Sequence, residues 1–163
     1  MNTRQITNHK KQYLELLLLG DEQESMIDRY LEKGEMYVLE DHGVKAVCVV
    51  QKVSAEILEI KNLATETKYQ RMGYGQAIIH DIVKRYQDDY SILQVGTGET
   101  TVGFYEKCGF RRSHVIKNFF IDNYDHPIYE DGKQLVDMII LRQKIQNYDT
   151  VHSRYEKLEQ KSE

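Results

Sequence analysis

The stretch Gln70-Arg71-Met72-Gly73-Tyr74-Gly75 ends in two glycines one residue apart and runs straight into Ile78, Ile79, Ile82, Val83 and Tyr86. These apolar residues recur at helical spacing, with His80, Asp81, Lys84 and Arg85 opposite them, so the segment predicts a helix. A β-rich run, Ala55 to Ala64, precedes the glycines. Strand, glycine turn and helix start together aim unpaired backbone N–H groups and the positive end of a helix dipole at one point, which suits an anion such as a phosphate. Gly73 and Gly75 withhold side chains where that ligand would approach. Two nucleotide signatures fail here. A P-loop needs Lys-Ser/Thr after its last glycine, and Gly75 is followed by Gln76-Ala77; a dinucleotide fingerprint needs a glycine three residues further on, where the chain has Ile78.

Other reactive side chains carry weaker signals. Cys48 lies inside the apolar run Ala46 to Val50 and reads as core, and Cys108 has no histidine beside it to activate a thiolate. Two cysteines are too few for a disulfide framework, and the six histidines lack metal-ligand spacing, so no metal is expected. The 22 Lys and Arg against 26 Asp and Glu give a net charge of −4, which argues against nucleic-acid binding through a broad basic surface. No run approaches the roughly 20 apolar residues that span a bilayer. Met1 to Gln5 carries no basic-then-apolar leader pattern, so the expected setting is the cytoplasm.

The elements that must hold the glycine turn follow from local patterns. Arg4 to Ile6 predicts a strand, and Tyr13 to Leu18 a short helix stopped by Gly20. Asp21 and Glu24 have capping-box spacing ahead of a second helix running to Gly34. Met36 to Leu39 and Lys45 to Val50 flank Asp41-His42-Gly43, a hairpin signal, and Ala55 to Ala64 adds a third strand. After the long helix come a strand at Ser91 to Val95, a short helix at Thr101 to Cys108 ended by Gly109, and strands at Val115 to Ile121 and Leu135 to Leu141. The order predicts one mixed α/β domain over residues 1–142. The tail, 143–163, keeps a helical rhythm through Ile145, Tyr148, Val151, Tyr155 and Leu158, for packing on the domain or for a homodimer contact.

The pattern Gln70-x-x-Gly73-x-Gly75 resembles the signature loop of the GCN5-related N-acetyltransferase (GNAT) superfamily. Glu59 to Thr65 is similar to the family's fourth strand, Tyr69 precedes the glutamine as it often does there, and Phe104-Tyr105-Glu106-Lys107-Cys108-Gly109-Phe110 matches a second family box. The resemblance spans about residues 1–142 and implies an α+β fold, with a mixed, mostly antiparallel sheet of about seven strands flanked by helices. It implies acetyl-coenzyme A as co-substrate, with its pyrophosphate on the amides of Arg71, Met72, Gly73, Tyr74, Gly75 and Gln76. Leu63, Ala64 and Thr65 would pair with the pantetheine arm, and an amide near Leu63 would polarise the acetyl carbonyl. Leu63 follows Glu59 and Lys61 on its strand face, as a bulge that changes facing would produce; an amphipathic strand with one apolar end accounts for it as well.

Acetyl transfer to an amine needs a neutral nucleophile, a stabilised oxyanion and a proton for the departing thiolate. A lysine-like amine has a pKa of about 10.4, so something must take its proton. Glu59 is the candidate base, directly or through water, set against a solvated or salt-bridged strand glutamate. The resemblance places Tyr105 near the coenzyme sulfur as the acid, set against a ring that only packs. Family members often carry an Asn shortly before the second box. This chain has Gly96-Thr97-Gly98-Glu99-Thr100-Thr101 instead, expected to be a flexible loop. The acidic, aromatic segment Asp122 to Gly132 is either an acceptor-binding wall or a solvated hairpin connection turning at Pro127. The resulting expectation is direct N-acetyl transfer to a small-molecule amine. The alternatives are a non-catalytic acyl-coenzyme A-binding module on the same fold and a protein N-acetyltransferase.

Overall fold

The structure, a computed structural model, describes residues 1–149. Seven strands form one sheet in the order β1 (Asn2–Ile6), β2 (Glu35–Glu40), β3 (Val44–Lys52), β4 (Ile57–Thr65), β5 (Ile92–Thr97), β9 (Met138–Lys144) and β6 (Arg111–Ile116). Every neighbouring pair is antiparallel except β4 and β5. The parallel pair needs a crossover, and α3 (Tyr74–Tyr86) supplies it. Ile78, Ile79, Ile82, Val83 and Tyr86 are all buried and form, with Cys48, Leu58, Leu93 and Leu141, the core on one sheet face. On the other face α1 (Leu14–Gly20) and α2 (Glu24–Ile27) cover Val38, Val47, Val49 and Ala64. Among the described residues no helix is long and apolar enough to cross a membrane.

Several predicted elements change identity for local reasons. Asp21 is not a helix cap: Gln23 precedes α2, which lasts four residues before turns take the chain to Gly34. The predicted strand over Val115 to Ile121 is two elements. β6 stops at Ile116, Asn118 takes the left-handed conformation at φ 58°, and α5 (Phe119–Asn123) follows. The Asn118 N–H donates to Asp137 at 2.9 Å, which fixes that break. The connection to β9 turns at Asp131-Gly132 rather than Pro127; both residues have positive φ, and they join the short hairpin β7 (Tyr129–Glu130) and β8 (Lys133–Gln134). Ile145 is fully buried and Tyr148 packs against the α3-side core, while the remainder of the predicted tail helix, from residue 150, lies outside the described residues.

Candidate active site

The glycine turn is built as its sequence requires. Arg71 (φ 64°) and Gly73 (φ 88°) both occupy the left-handed region, and Gly73 is the residue preceding α3. No side chain caps this helix start, and its first bond to the turn is Ala77 N–H to Gly73 O at 3.0 Å. The N–H groups of Tyr74, Gly75 and Gln76 therefore have no acceptor among the described residues and point out of the helix end, as α-helix geometry dictates. Met72 is exposed in the turn. Gln70 Nε2 donates to Thr65 O at 3.2 Å, tying the turn to the end of β4. Gly75 has a second reason to be glycine: a Cβ there would stand 3.1 Å from Phe104 Cζ, on α4 (Val102–Lys107). The two motifs thus touch.

β4 and β5 pair only over Ile57–Ile60 and Ile92–Val95. Beyond that point residues 62–65 of β4 pair with β3 alone, and Gly96 and Thr97 of β5 pair with β9 alone. The sheet splits, and Leu63, Ala64 and Thr65 carry an open backbone edge. A bulge sits at the fork: Val49 pairs with Asn62 and Val50 with Ile60, leaving Lys61 as the extra residue. Facing changes across it. Leu58, Ile60 and Leu63 lie on the α3 side, whereas Ala64 belongs to the α1 side.

Helix α1 ends on this bulge. Asn62 Nδ2 donates to Leu17 O at 2.9 Å and to the Tyr30 hydroxyl at 3.0 Å. A Cβ on Gly20 would fall 2.2 Å from Asn62 Oδ1 and 3.0 Å from Leu63 O. Neither can retreat, because the amide is pinned and the carbonyl is backbone. The Gly20→Ala variant is expected to lose about 1–3 kcal/mol of stability, the range for overpacking a filled site, read as a lower midpoint in urea unfolding at unchanged slope.

Tyr105, on α4, is buried in the α3-side core with its ring edge-on to Phe104 and Phe110. Its hydroxyl makes no hydrogen bond among the described residues. Burial first, then the charges of Cys48, Cys108 and Glu130, push its phenol well above the ordinary tyrosine value, so it stays protonated at neutral pH. Cys48 is fully buried and its thiol is pushed up to about 12, consistent with core and not with a nucleophile.

Glu59 opens on the opposite side of the split. Its carboxylate receives Lys61 Nζ at 2.7 Å and Gln94 Nε2 at 2.7 Å, and Gln94 Oε1 in turn accepts from Arg142 Nε at 2.8 Å. It is ion-paired, as one of its two sequence readings held, and it also lines a cleft of about 310 Å³. Asp21, Tyr30, Phe120, Tyr124 and Glu130 line the same cleft. Of the segment Asp122 to Gly132, Tyr124 and Glu130 face in, while Tyr129 is exposed. Gly96 and Gly98 do not form the expected flexible loop. Cβ atoms there would stand 2.4 Å from Met138 Sδ and 2.7 Å from Leu135 Cδ2, so these glycines let β5 and the next turn pack closely.

Sequence reasoning offered Asp122 to Gly132 as an acceptor wall but named none of the contacts that join it to the α1–α2 connection. Asp21 accepts hydrogen bonds from Tyr124 at 2.7 Å and Tyr30 at 3.1 Å, joining the α1–α2 connection to the residue after α5. Arg29 donates to Asn123 Oδ1 at 3.1 Å, and Asp125 N–H to Gln23 Oε1 at 3.0 Å. All but the Tyr30–Asp21 bond span about 100 residues of sequence, and no local pattern signals them.

Residues 32–112 match the family description "Acetyltransferase (GNAT) domain". An uncharacterized N-acetyltransferase of Bacillus subtilis strain 168, YvbK, is 33% identical over 132 residues, 78% of this chain and 85% of the relative. A GNAT family acetyltransferase from Elizabethkingia anophelis, solved with acetyl-coenzyme A bound, superposes with a TM-score of 0.83 at 34% identity, covering 88% of this chain and 97% of the other. A Bacillus subtilis acetyltransferase solved in complex with coenzyme A gives a TM-score of 0.80 at 29% identity, with 88% and 97% coverage.

Proposed function

We propose, from the premise that this chain belongs to the GNAT family of N-acetyltransferases, that it transfers an acetyl group from acetyl-coenzyme A directly to a primary amine of a small molecule. The chain's residues fit the donor at two places. The unpaired N–H groups of Tyr74, Gly75 and Gln76, with Arg71, Met72 and Gly73 forming the turn before them, suit a pyrophosphate. The open edge at Leu63, Ala64 and Thr65 suits an amide-bearing arm lying as an added strand. When bound, acetyl-coenzyme A supplies an activated acetyl thioester. A backbone N–H near Leu63 is assigned to polarise the acetyl oxygen. Tyr105 is the proton donor to the sulfur side, and Glu59 takes the proton of the amine, directly or through water.

The observation that carries the acceptor reading is the cleft beside Glu59. Its volume, about 310 Å³, is at the small end of small-molecule sites. Its walls are hydrogen-bonded to each other through Asp21 and Tyr124, Arg29 and Asn123, and Gln23 and Asp125, which favours a small acceptor over a protein segment. Three carboxylates and several aromatic rings line it, a setting suited to a cationic amine.

A melting experiment followed by a thiol-release screen tests this. Acetyl-coenzyme A at 100 times its dissociation constant stabilises by about 2.7 kcal/mol, expected to raise the midpoint by roughly 5–10 °C for a chain of this size. Thiol release should then require a small amine in a panel of polyamines, amino acids, aminoglycosides and peptide N-termini. The absence of a shift at millimolar acetyl-coenzyme A, or release with peptides alone, would contradict the proposal.

A further inference from the structure

The cleft holds three carboxylates, and their partners differ. Glu59 is paired with Lys61, and Glu130 accepts from the Thr100 hydroxyl at its edge of the cleft. Asp21 is mostly withdrawn from water, yet its carboxylate is hydrogen-bonded only by neutral donors: the Tyr124 hydroxyl at Oδ1, the Tyr30 hydroxyl at Oδ2 and the Gln23 backbone N–H. Loss of hydration pushes its carboxyl above the ordinary range against the effect of those three hydrogen bonds. Two cations line the cleft. Lys61 is close enough to Asp21 to lower its pKa, but its hydrogen bond goes to Glu59, and Arg29 donates to Asn123.

The proton inventory at Asp21 is one-sided. Each phenol has a single proton, and each spends it on Asp21. Tyr30 also accepts from Asn62 Nδ2, so its hydroxyl is used in both directions. What remains towards the cleft is the unused acceptor capacity of the Asp21 carboxylate and of the Tyr124 oxygen. Such an array matches a group rich in N–H donors and positively charged, and rejects an anion. A carboxylate that is desolvated and lacks a counter-ion is costly until one arrives.

That ion is not the reacting nitrogen. An ammonium held against a desolvated carboxylate keeps its proton more tightly, whereas the nucleophile must lose one. We therefore infer that Asp21, positioned by Tyr30 and Tyr124, binds a second, non-reacting cationic group of the acceptor, so that the substrate class is small molecules carrying at least two positive charges, such as aliphatic diamines. This rests on the acetyl-transfer reading of the same cleft. Glu59 serves the reacting end, and Asp21 selects the other.

The test compares an alkyl diamine with the monoamine of equal chain length and with an α-amino acid, in wild type and Asp21→Asn, by thiol release. Wild type should show a KM for the diamine about tenfold to hundredfold below that for the monoamine, the range of a charge-assisted hydrogen bond. Asp21→Asn should abolish that preference, raising the diamine KM at least tenfold more than the monoamine KM, with the effect in KM and not in kcat. Tyr124→Phe keeps the charge but loosens it, and should raise the diamine KM severalfold; it serves as the second variant if Asp21→Asn melts poorly. Equal wild-type KM values for the two amines, a fall in kcat for both amines in Asp21→Asn, or a preference for the amino acid through Arg29 would overturn the inference. If no amine releases thiol, calorimetric titration of the coenzyme A-bound protein separates the two readings. Diamine binding that is lost in Asp21→Asn keeps the site while the transfer reading fails, and unchanged or absent binding ends both.

Discussion

The Tyr105→Phe variant is expected to lose about 10²–10⁴ in kcat, the range for removing a general acid, with acetyl-coenzyme A binding retained. The prediction is sharp because the hydroxyl has no structural duty. It makes no hydrogen bond among the described residues, so its loss leaves nothing unpaired, and the ring keeps its contacts with Phe104 and Phe110. Stability should be unchanged within about 0.5 kcal/mol, and the midpoint shift on adding acetyl-coenzyme A should match wild type. A proton donor must also hold its proton at working pH, and burial of Tyr105 ensures that. Turnover equal to wild type would leave Tyr105 as packing only.

Glu59→Gln should cost about as much in kcat, 10²–10⁴-fold on the general-base range, but with a signature that a structural role would not give. A primary alkyl amine with a pKa near 10.4 arrives protonated at neutral pH and depends on a base; an acceptor whose own pKa lies near neutrality arrives largely deprotonated. The loss in Glu59→Gln should therefore shrink at least tenfold with the less basic amine. The glutamine also leaves Lys61 without its ion pair, so some general weakening is expected, but that part would be the same for both amines. A loss independent of amine basicity would assign Glu59 to the Lys61–Gln94–Arg142 network alone.

The parts of the fold and site legible in the sequence were those written in short periods. Ile78 to Tyr86 declared α3 by helical spacing, and the glycines at 73 and 75 marked its start, because a left-handed turn and an uncapped helix end are both local demands. The odd facing of Leu63 left two readings open, and the register shift opposite Val49 and Val50 selects the bulge. The split between β4 and β5 had no such mark. It arises because β5 continues along β9 while β4 stays with β3, a matter of which strands pair beyond Val95. Nor could the join between the cleft's two walls be read, although Asp122 to Gly132 was legible as a candidate wall. Asp21 has the spacing of a capping residue with Glu24, and only the fold, by bringing Tyr124 to within 2.7 Å, shows a different role. Gly96 and Gly98 misled for a related reason: two glycines in six residues read as a flexible loop, whereas here they make room for Met138 and Leu135.

Both faces of the sheet are used, and the split connects them. Tyr105 approaches from the α3 side and Glu59 from the side of the cleft, with Glu130 on the cleft wall close enough to bear on the Tyr105 phenol. The proposed acid and the proposed base therefore reach the split from opposite sheet faces. The bulge at Lys61 and the packing of Gly20 against Asn62 sit at that split.

The most direct measurement is thiol release against time on mixing the wild-type protein with acetyl-coenzyme A, with and without a saturating small diamine, together with mass detection of the acetylated amine. Release is expected to depend on the amine, to yield one acetylated amine for each thiol, and to be lost in Tyr105→Phe although acetyl-coenzyme A still raises the melting midpoint. Binding of acetyl-coenzyme A with no amine-dependent release, across the amine panel, would contradict this and leave a coenzyme-binding module without turnover.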